Sequence, residues 1–401
     1  MKILVVSFYY EPEIGAAPSR ITNLVRGLKE RGEQVDVLTC LPNYPTGRIF
    51  DGYRGKFSMK ENLDGVDVYR YWTYATVSKG ILRRAFAMTS FAVTMWAFGL
   101  KRKLIRSYDT VIIQSPPIMA SASAMRLFKC RYKKRVVLNV SDLWPGSAVE
   151  LGFMKVDSLS FKYTSRLERD LYKHADAVMG QSCEILERVK SMEPDKRLFL
   201  YRNLSRCSSV NQTVNKKADS TSNGLKIVYA GLLGVPQDVL SIVRNVDFES
   251  VGAEFHIYGG GNQADGIRKE IDGGKKNVFY HGVLPKEQMN SVLKEYDVSL
   301  IALARPITGA VPSKIFDTLP LGVPMLFCGT GEGASIVSEN GFGLVAGPSD
   351  YKMIEDKIRV FAKMDKDEFQ AYSQRCIDAS MSGFNFDSQF DSFMQFLTGD
   401  I

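Results

Sequence analysis

The sequence is poor in the residues that build metal and disulfide chemistry. It has three His (His174, His256, His281) and six Cys (Cys40, Cys130, Cys183, Cys207, Cys328, Cys376). No two Cys form a C-x-x-C pair, and no His stands at ligand spacing from one. A structural zinc site and a disulfide scaffold are therefore not supported, and scattered reduced thiols in a cytosolic enzyme are the expectation. The one D-x-D, Asp365-Lys366-Asp367, lies in a charged segment at a helix boundary and reads as a solvated turn rather than a metal site. No G-x-G-x-x-G occurs, so a nicotinamide-cofactor domain has no support. No run of about 20 apolar residues occurs, as a membrane-spanning helix needs. The start, MKILVVSFYY, has one basic residue and no small-residue cleavage site, and Glu11 and Glu13 follow at once. It reads as a buried first strand rather than a signal peptide.

What is present is an ordinary globular composition, 45% hydrophobic and 24% charged, over 401 residues. That length suits two or three domains. The charge is unevenly spread. Residues 1–180 hold 28 Lys+Arg and 16 Asp+Glu, whereas residues 181–401 hold 24 and 28. A basic first half suggests an anionic surface as partner, with membrane and nucleic acid as the usual candidates. No nucleic-acid recognition motif accompanies it.

Strand-like and helix-like periodicities alternate. Residues 2–7, 34–39, 66–71, 110–114, 135–140 and 177–180 read as strands, with residues 19–31 as the first helix between them. Residues 205–224 are polar and aperiodic, a linker or surface loop. The alternation then restarts with strands at 226–230, 254–258, 278–281, 298–302, 324–327 and 343–345. The expectation is an α/β protein of two Rossmann-like βαβ domains, 1–204 and 225–383, facing a central cleft. Residues 384–401 carry a Phe stripe and are expected to dock as a helix back on the first domain.

Ligands of open parallel sheets sit at the carboxyl ends of strands, so the loops there carry the candidate sites. The sharpest is Arg305-Pro-Ile-Thr-Gly-Ala-Val311-Pro312-Ser313-Lys314-Ile-Phe-Asp317. Pro312 and Ser313 suit a helix start, whose free N–H groups take phosphate; Arg305 and Lys314 add positive charge. Asp317 stands where a carboxylate could hold ribose hydroxyls. The loop Glu13-Ile-Gly15-Ala16 opens the first helix with small residues that allow close backbone approach. Asp142, in SDLWP, either gathers with catalytic groups at a strand end or caps the next helix. Gly259-Gly260-Gly261 is either a backbone anion nest or a plain turn. Gly231 and Gly234 mark the first loop of the second domain, either a ligand loop or a simple Gly turn. Finally, residues 85–100 form an apolar core bracketed by Arg83-Arg84 and Lys101-Arg102-Lys103. It is either a buried helix or one that inserts into an anionic membrane surface, with the basic residues from Arg126 to Arg135 favouring the membrane.

Together these motifs resemble the retaining sugar-nucleotide glycosyltransferases of family 4, with the GT-B fold. The resemblance covers nearly the whole chain: the PE-x-G loop, NYPTG at residues 43–47, SDLWP, YAGLLG, YGGG, and PSKIFD followed by LGVP. It looks like the bacterial subgroup that adds N-acetyl-L-fucosamine or a similar amino sugar in O-antigen or capsule assembly. The resemblance implies a UDP-sugar donor, no cofactor and no metal. The donor would meet Gly231, Gly234, Gly259, Gly260, Gly282, Leu284, Val311, Pro312, Ser313 and Asp317, with Gly15 and Ala16 closing over the phosphates. Lys314 and Arg305 would hold the diphosphate, and Asp142 would sit by the acceptor hydroxyl. Glu13, Asn43, Tyr44 and Trp144 would line the acceptor.

The acceptor implied is a polyprenyl-diphosphate-linked saccharide on the cytoplasmic face of the bacterial inner membrane, with the protein peripheral through residues 81–103. Three departures from the family pattern stand out. Gly309 occupies the position of a common Glu, Asp317 replaces the ribose-binding Glu, and Leu232, Leu233 and Gln237 lie where the family has an Arg and a Lys. These departures keep one rival open, a nucleotide-sugar-binding partner without transferase activity; behind it stands a UDP-sugar 2-epimerase, which shares the two-domain architecture but needs acidic and His groups in the cleft where only three His exist.

Overall fold

The computed structural model describes residues 1–76, 81–206 and 224–399. Residues 207–223, most of the expected linker, lie outside the described residues. The chain divides into two compact units, residues 1–202 with 392–401, and residues 203–391.

The first unit is an eight-stranded sheet. Its strands are β1 (Lys2–Val6), β2 (Gln34–Cys40), β3 (Ser58–Leu63), β4 (Val66–Tyr71), β5 (Thr110–Ser115), β6 (Arg135–Val140), β7 (Ala177–Gly180) and β8 (Arg197–Leu200). They lie in the order β3-β4-β2-β1-β5-β6-β7-β8. All neighbours are parallel except β3, which pairs antiparallel with β4 at the edge. The expectation of a purely parallel sheet thus misses one hairpin. Its strand SMKENL alternates exposed and half-buried residues, as an edge strand with one wet face must. The strand β8 also escaped sequence reading, being four half-buried residues.

Helices cover the sheet: α1 (Ala16–Glu30), α2 (Ile81–Thr94), α3 (Arg102–Ser107), α4 (Ile118–Met125), α5 (Gly146–Glu150), α6 (Leu159–His174) and α7 (Cys183–Met192). The central strands β1, β5 and β6 are buried almost throughout, which is why their sequences read as continuous apolar runs rather than alternating ones.

The second unit is a six-stranded parallel sheet of β9 (Leu225–Ala230), β10 (Ala253–Tyr258), β11 (Val278–Gly282), β12 (Val298–Ala302), β13 (Met325–Cys328) and β14 (Gly343–Ala346). The order is β11-β10-β9-β12-β13-β14, the doubly wound 3-2-1-4-5-6 order when counted within the unit. Its helices are α8 (Val239–Asn245), α9 (Ala264–Asp272), α10 (Lys286–Leu293), α11 (Lys314–Thr318), α12 (Glu332–Glu339), α13 (Tyr351–Lys363) and α14 (Lys366–Met381).

The last helix, α15 (Phe386–Thr398), crosses the division between units at Ser392. Its second half belongs to the first unit. Phe393 and Phe396 pack their rings 5.5 and 5.1 Å from Phe199 on β8. Arg197 closes the helix end by donating to the Gly399 and Phe396 carbonyls. The expected return of residues 384–401 therefore begins later, at Ser392.

Both sheets reverse their winding direction once, between β1 and β5 in the first unit and between β9 and β12 in the second. Each reversal leaves a crevice at the carboxyl ends of those strands, since the two loops leave in opposite directions.

Candidate functional site

In the second unit the crevice lies among the loops after β9, β10 and β12. Two backbone bonds lock the first two loops together, and a third ties the second of them to the end of β11. Gly231 N–H donates to the Tyr258 carbonyl at 2.8 Å, Leu233 N–H to Gly260 at 2.9 Å, and Gly259 N–H to Gly282 at 2.7 Å. At Gly259 (φ 141°) a Cβ would overlap the Gly231 carbonyl, so the backbones approach as only glycine permits. The close approach at Gly259-Gly260 is thus backbone to backbone. The Gly259 N–H is already used, which removes it from any anion nest.

Gly231 (φ 152°) leaves room for a side chain instead. A Cβ there would overlap the end of the Lys314 side chain. Lys314 opens α11 and reaches back over the first loop. Its Nζ lies 4.6 Å from the centre of the Tyr229 ring and donates to the Tyr229 hydroxyl at 3.3 Å. Burial pulls the ammonium from its usual range down to about 8, and the Asp317 carboxylate one turn on partly opposes that. A half-buried cation in such a crevice, bonded to one hydroxyl, is suited to an anionic ligand.

Around it, Val311 is buried and Pro312, Ser313 and Asp317 are half-buried. The turn starts at Pro312, whose carbonyl accepts from Ile315 N–H at 3.1 Å. Ser313 precedes α11 but makes no side-chain cap. The helix itself is five residues long before tightening into a 3-10 turn at Leu319–Leu321. The Lys314 side chain is thus the charged group that the start of this short helix brings over the loop after β9. Arg305 is exposed, and its N–H reaches the Pro236 carbonyl, which ties its loop to the one after β9. Gly234 lies on that same loop, with the Gln237 side chain against it. Gly282 ends β11 with φ 77°, and Leu284 follows it half-buried.

Sequence reasoning missed one feature here. Alternation on β10 and β11 puts Glu254, His256, Tyr258, Phe279 and His281 on one sheet face. His256 Nε2 is 3.3 Å from Glu254 Oε2, and its Nδ1 is 3.0 Å from His281 Nε2. His281 stacks on Tyr258 at 4.5 Å, and Tyr258 shares a hydroxyl–hydroxyl bond of 2.9 Å with Tyr296. Burial lowers the proton affinity of both imidazoles, with Glu254 partly restoring it at His256. The period-2 pattern EFHIY beside FYHG was the available signal, and only the parallel register joins the two halves.

The first unit's crevice is chemically different. Asp142 follows β6, and its carboxyl is pushed above the ordinary carboxylate range by burial; Arg20 and a hydrogen bond from Ser141 pull it back. Its side chain caps no helix, since α5 begins after Pro145 with no side-chain cap. Ser141 is held from both neighbouring strands. Gln114 at the end of β5 donates to its Oγ at 3.0 Å, and the Gln181 amide donates to its carbonyl. Gln181 Oε1 in turn accepts from Arg20 Nη1 at 2.9 Å. Arg20 Nε and Gln114 Oε1 are buried without a hydrogen-bond partner. Sequence reasoning named Asp142 but neither Arg20, Gln114 nor Gln181 as its support. Trp144 is half-buried against the core and donates its N–H to the Asp142 carbonyl at 3.0 Å.

Glu13 and Asn43, expected to line the acceptor, are buried and stitch the loops together. Glu13 is buried, and its carboxylate accepts from the N–H of Asn43 and Tyr44, both at 2.8 Å, and of Tyr10 at 3.2 Å. Asn43 is buried too, donating to the Leu41 carbonyl at 3.0 Å. The fully buried Arg70 on β4 supports the same loop, donating to the Glu11 and Cys40 carbonyls and pairing with Glu61 on β3. Tyr44 is exposed and lies over Gly15, where a Cβ would come within 2.8 Å of its ring. Ala16 begins α1, exposed, behind a Gly15 that provides no side-chain cap.

Residues 85–100 run through α2 and the 3-10 turn that follows it (Met95–Leu100), and they divide between core and surface. Phe91, Met95 and Phe98 are core, while Phe86, Val93, Trp96 and Leu100 are exposed. Arg83 in α2 and Lys101–Lys103 after the 3-10 turn are exposed. No helix among the described residues is long and apolar enough to cross a membrane. Asp365, in the D-x-D, caps α14 by accepting from the Glu368 N–H at 2.8 Å.

Comparison with known proteins agrees with this architecture. Residues 15–200 match the model of the glycosyl transferase 4-like domain. A probable glycosyltransferase of Pseudomonas aeruginosa, WbjE, is 27% identical over 228 residues, 53% of this chain and 56% of that protein. The chain thus aligns with about half the length of that curated relative. Among solved structures, sucrose-phosphate synthase of Thermosynechococcus elongatus superposes with a TM-score of 0.73 at 13% identity, over 99% of this chain and 98% of that one. The α,α-trehalose-phosphate synthase (UDP-forming) of Burkholderia xenovorans gives 0.70 at 13% identity over the whole of both chains. Likeness over full length at such low identity shows the fold, two Rossmann-like units of the GT-B class.

Proposed function

We propose that the protein is a retaining glycosyltransferase. It moves an amino sugar, N-acetyl-L-fucosamine or a similar N-acetylhexosamine, from a UDP-sugar to a polyprenyl-diphosphate-linked saccharide. The setting is bacterial O-antigen or capsule assembly, at the cytoplasmic face of the inner membrane. The observation that carries the donor half is Lys314, laid over Gly231 and Tyr229 at the reversal point of the second sheet. The glycosyl transferase 4-like match of residues 15–200 and the name of the P. aeruginosa relative support the reaction class.

In this reading the bond from the anomeric carbon to the UDP oxygen breaks first, giving an oxocarbenium-like state. The acceptor oxygen then bonds on the same face, and its proton passes to the departing β-phosphate. Lys314 stabilises the charge growing on that phosphate, with Arg305 on the loop that leads into α11, and no metal is required. Asp317 holds the ribose hydroxyls, and Asp142 orients the acceptor hydroxyl. The exposed apolar side chains of residues 86–100, with Arg83 in α2 and Lys101–Lys103 after the 3-10 turn, seat the protein on the anionic bilayer that presents the acceptor.

The test is thermal stability against UDP, GDP, ADP, NAD and a panel of UDP-hexosamines, without added metal. Selective stabilisation by UDP compounds, weakened in Asp317→Ala, is the expected result. A preference for another nucleotide would overturn the reading. UDP binding without transfer to any lipid-linked acceptor would instead favour a non-catalytic nucleotide-sugar-binding partner, which the Gly309 departure from the family pattern motivates.

A further inference from the structure

A second exposed apolar surface lies on the turn between α5 and α6 and the outer face of α6. Phe153 is 62% exposed, Val156 53%, Leu159 85% and Tyr163 48%. The backbone beneath them is anchored, because Phe153 and Met154 N–H both donate to the Ala148 carbonyl, at 2.8 and 3.1 Å. The Phe153 ring is therefore turned outward by an ordered turn. On α6, Leu159, Lys162, Tyr163 and Arg166 follow helical spacing on one exposed face, while Leu167 and Leu171 face the core. Lys155 and Arg169 add exposed charge, and the exposed acids nearby are Glu150, Asp157 and Asp170.

This surface shares a layer with the exposed face of α2. The helix α4 packs against both α2 and α6, and Trp96, just after α2, donates to Ser123 Oγ on α4 at 2.8 Å. Among the described residues, eight of the eighteen large apolar side chains that are exposed lie on residues 86–100 and 153–163 of this layer. Two apolar strips, each edged with Lys and Arg, thus flank α4. A charged headgroup layer asks for this pattern, apolar side chains interleaved with cations.

We propose that residues 153–166 form a second contact with an anionic bilayer, working with α2 so that the first unit rests on the membrane at two points. This rests on the membrane half of the proposed function, and the experiment separates the two. Flotation is measured with vesicles of equal parts phosphatidylethanolamine and phosphatidylglycerol, and with phosphatidylcholine vesicles. The variants are Phe153→Ser/Val156→Ser/Leu159→Ser, Lys162→Glu/Arg166→Glu, and Phe86→Ser/Val93→Ser. Binding of the unaltered protein to the anionic vesicles, weakened roughly tenfold by each of the first two variants, is the expected result. Leu159→Trp should shift its emission to the blue on adding those vesicles. All substituted side chains are exposed, so an unchanged melting curve confirms the fold.

Unchanged flotation of the 153–159 and 162/166 variants, with binding lost only in the α2 variant, would overturn the second contact and leave the membrane reading standing. No flotation of the unaltered protein would overturn both. A surface that buries itself in a dimer, seen as self-association abolished by the 153–159 variant without any effect on vesicles, would also overturn it.

Discussion

The two units reverse their sheets at corresponding places, yet fill the crevices in opposite ways. In the second unit the loops after β9 and β10 are glycines locked backbone to backbone, and one cation, Lys314, lies across them. In the first unit the corresponding region is dense with side-chain hydrogen bonds. Glu13 ties the loop after β1 to residues 43 and 44, while Gln114, Gln181 and Arg20 hold the segment around Asp142. Topology thus supplies a place, and residue chemistry decides its use. A backbone-lined crevice with a lysine suits a phosphate, and a buried carboxylate among amides suits a hydroxyl.

The largest effect should come from breaking the glycine lock. Gly259→Ala places a methyl on the Gly231 carbonyl and should cost the second unit more than about 3 kcal/mol. Gly260→Ala, which meets only a flexible Val283 methyl at 3.0 Å, should cost under about 1 kcal/mol. Urea titration of both variants checks this, and equal stabilities would show that the loops are free to separate.

Next comes Lys314. Lys314→Met should abolish stabilisation by UDP and lower turnover roughly 100-fold or more, as loss of a charge-stabilising donor does. The pH dependence has a definite sign. The folded ammonium loses its proton near 8, below its ordinary 10.5, so between those values the unfolded chain binds more protons and this group's contribution to stability rises with pH. Without ligand, the stability of the unaltered protein relative to Lys314→Met should therefore increase from pH 8 to 10. UDP affinity should fall over the same range, because the charged form binds the phosphate. Flat affinity from pH 7 to 10 would assign the phosphate to other groups.

In the first unit, Asp142→Asn should lower turnover about tenfold to 100-fold while leaving UDP stabilisation unchanged, since the proposed donor site belongs to the other unit. Arg20→Met removes the cation that favours the ionised carboxylate, and should move the acidic limb of the rate profile to higher pH. Loss of UDP binding in either variant would blur the division of labour.

The smallest effect concerns His256 and His281. Their folded proton affinities lie below the ordinary value of 6.5, so the stability they contribute is present above that pH and lost as pH falls below it. His256→Gln should reduce the acid sensitivity of the second unit's melting between pH 7 and 5. An unchanged acid limb would show that the pair does not titrate in that range.

Much of this was legible in the order of residues. Strand after helix, with apolar runs such as VIIQS and SLIA, implied buried parallel strands, and the strand limits agree within a residue or two for nearly every central strand. PSKIFD could be placed at a loop because Pro and Ser punctuate a helix start. Edge elements were less visible: β3 and β8 bury too little to stamp a pattern. The sites were legible as positions but not as contacts. Glu13 and Asn43 looked like ligand groups because polar residues in a small-residue loop have two uses, and sequence does not show which atoms are already bonded. Arg20 looked like one helix residue among others until Gln181, 161 positions away, was found against it.

The sequence by itself determined two βαβ repeats, their strand order of appearance and the loops that end each strand, because those depend on local periodicity and punctuation. Only the tertiary structure decided which loops meet. It set Lys314 over Gly231, joined His256 to His281 through the strand register, turned Glu13 inward and brought α2 and α6 into one layer. Such contacts depend on which strands pair and how closely backbones approach, distances of a few ångströms between residues far apart in the chain.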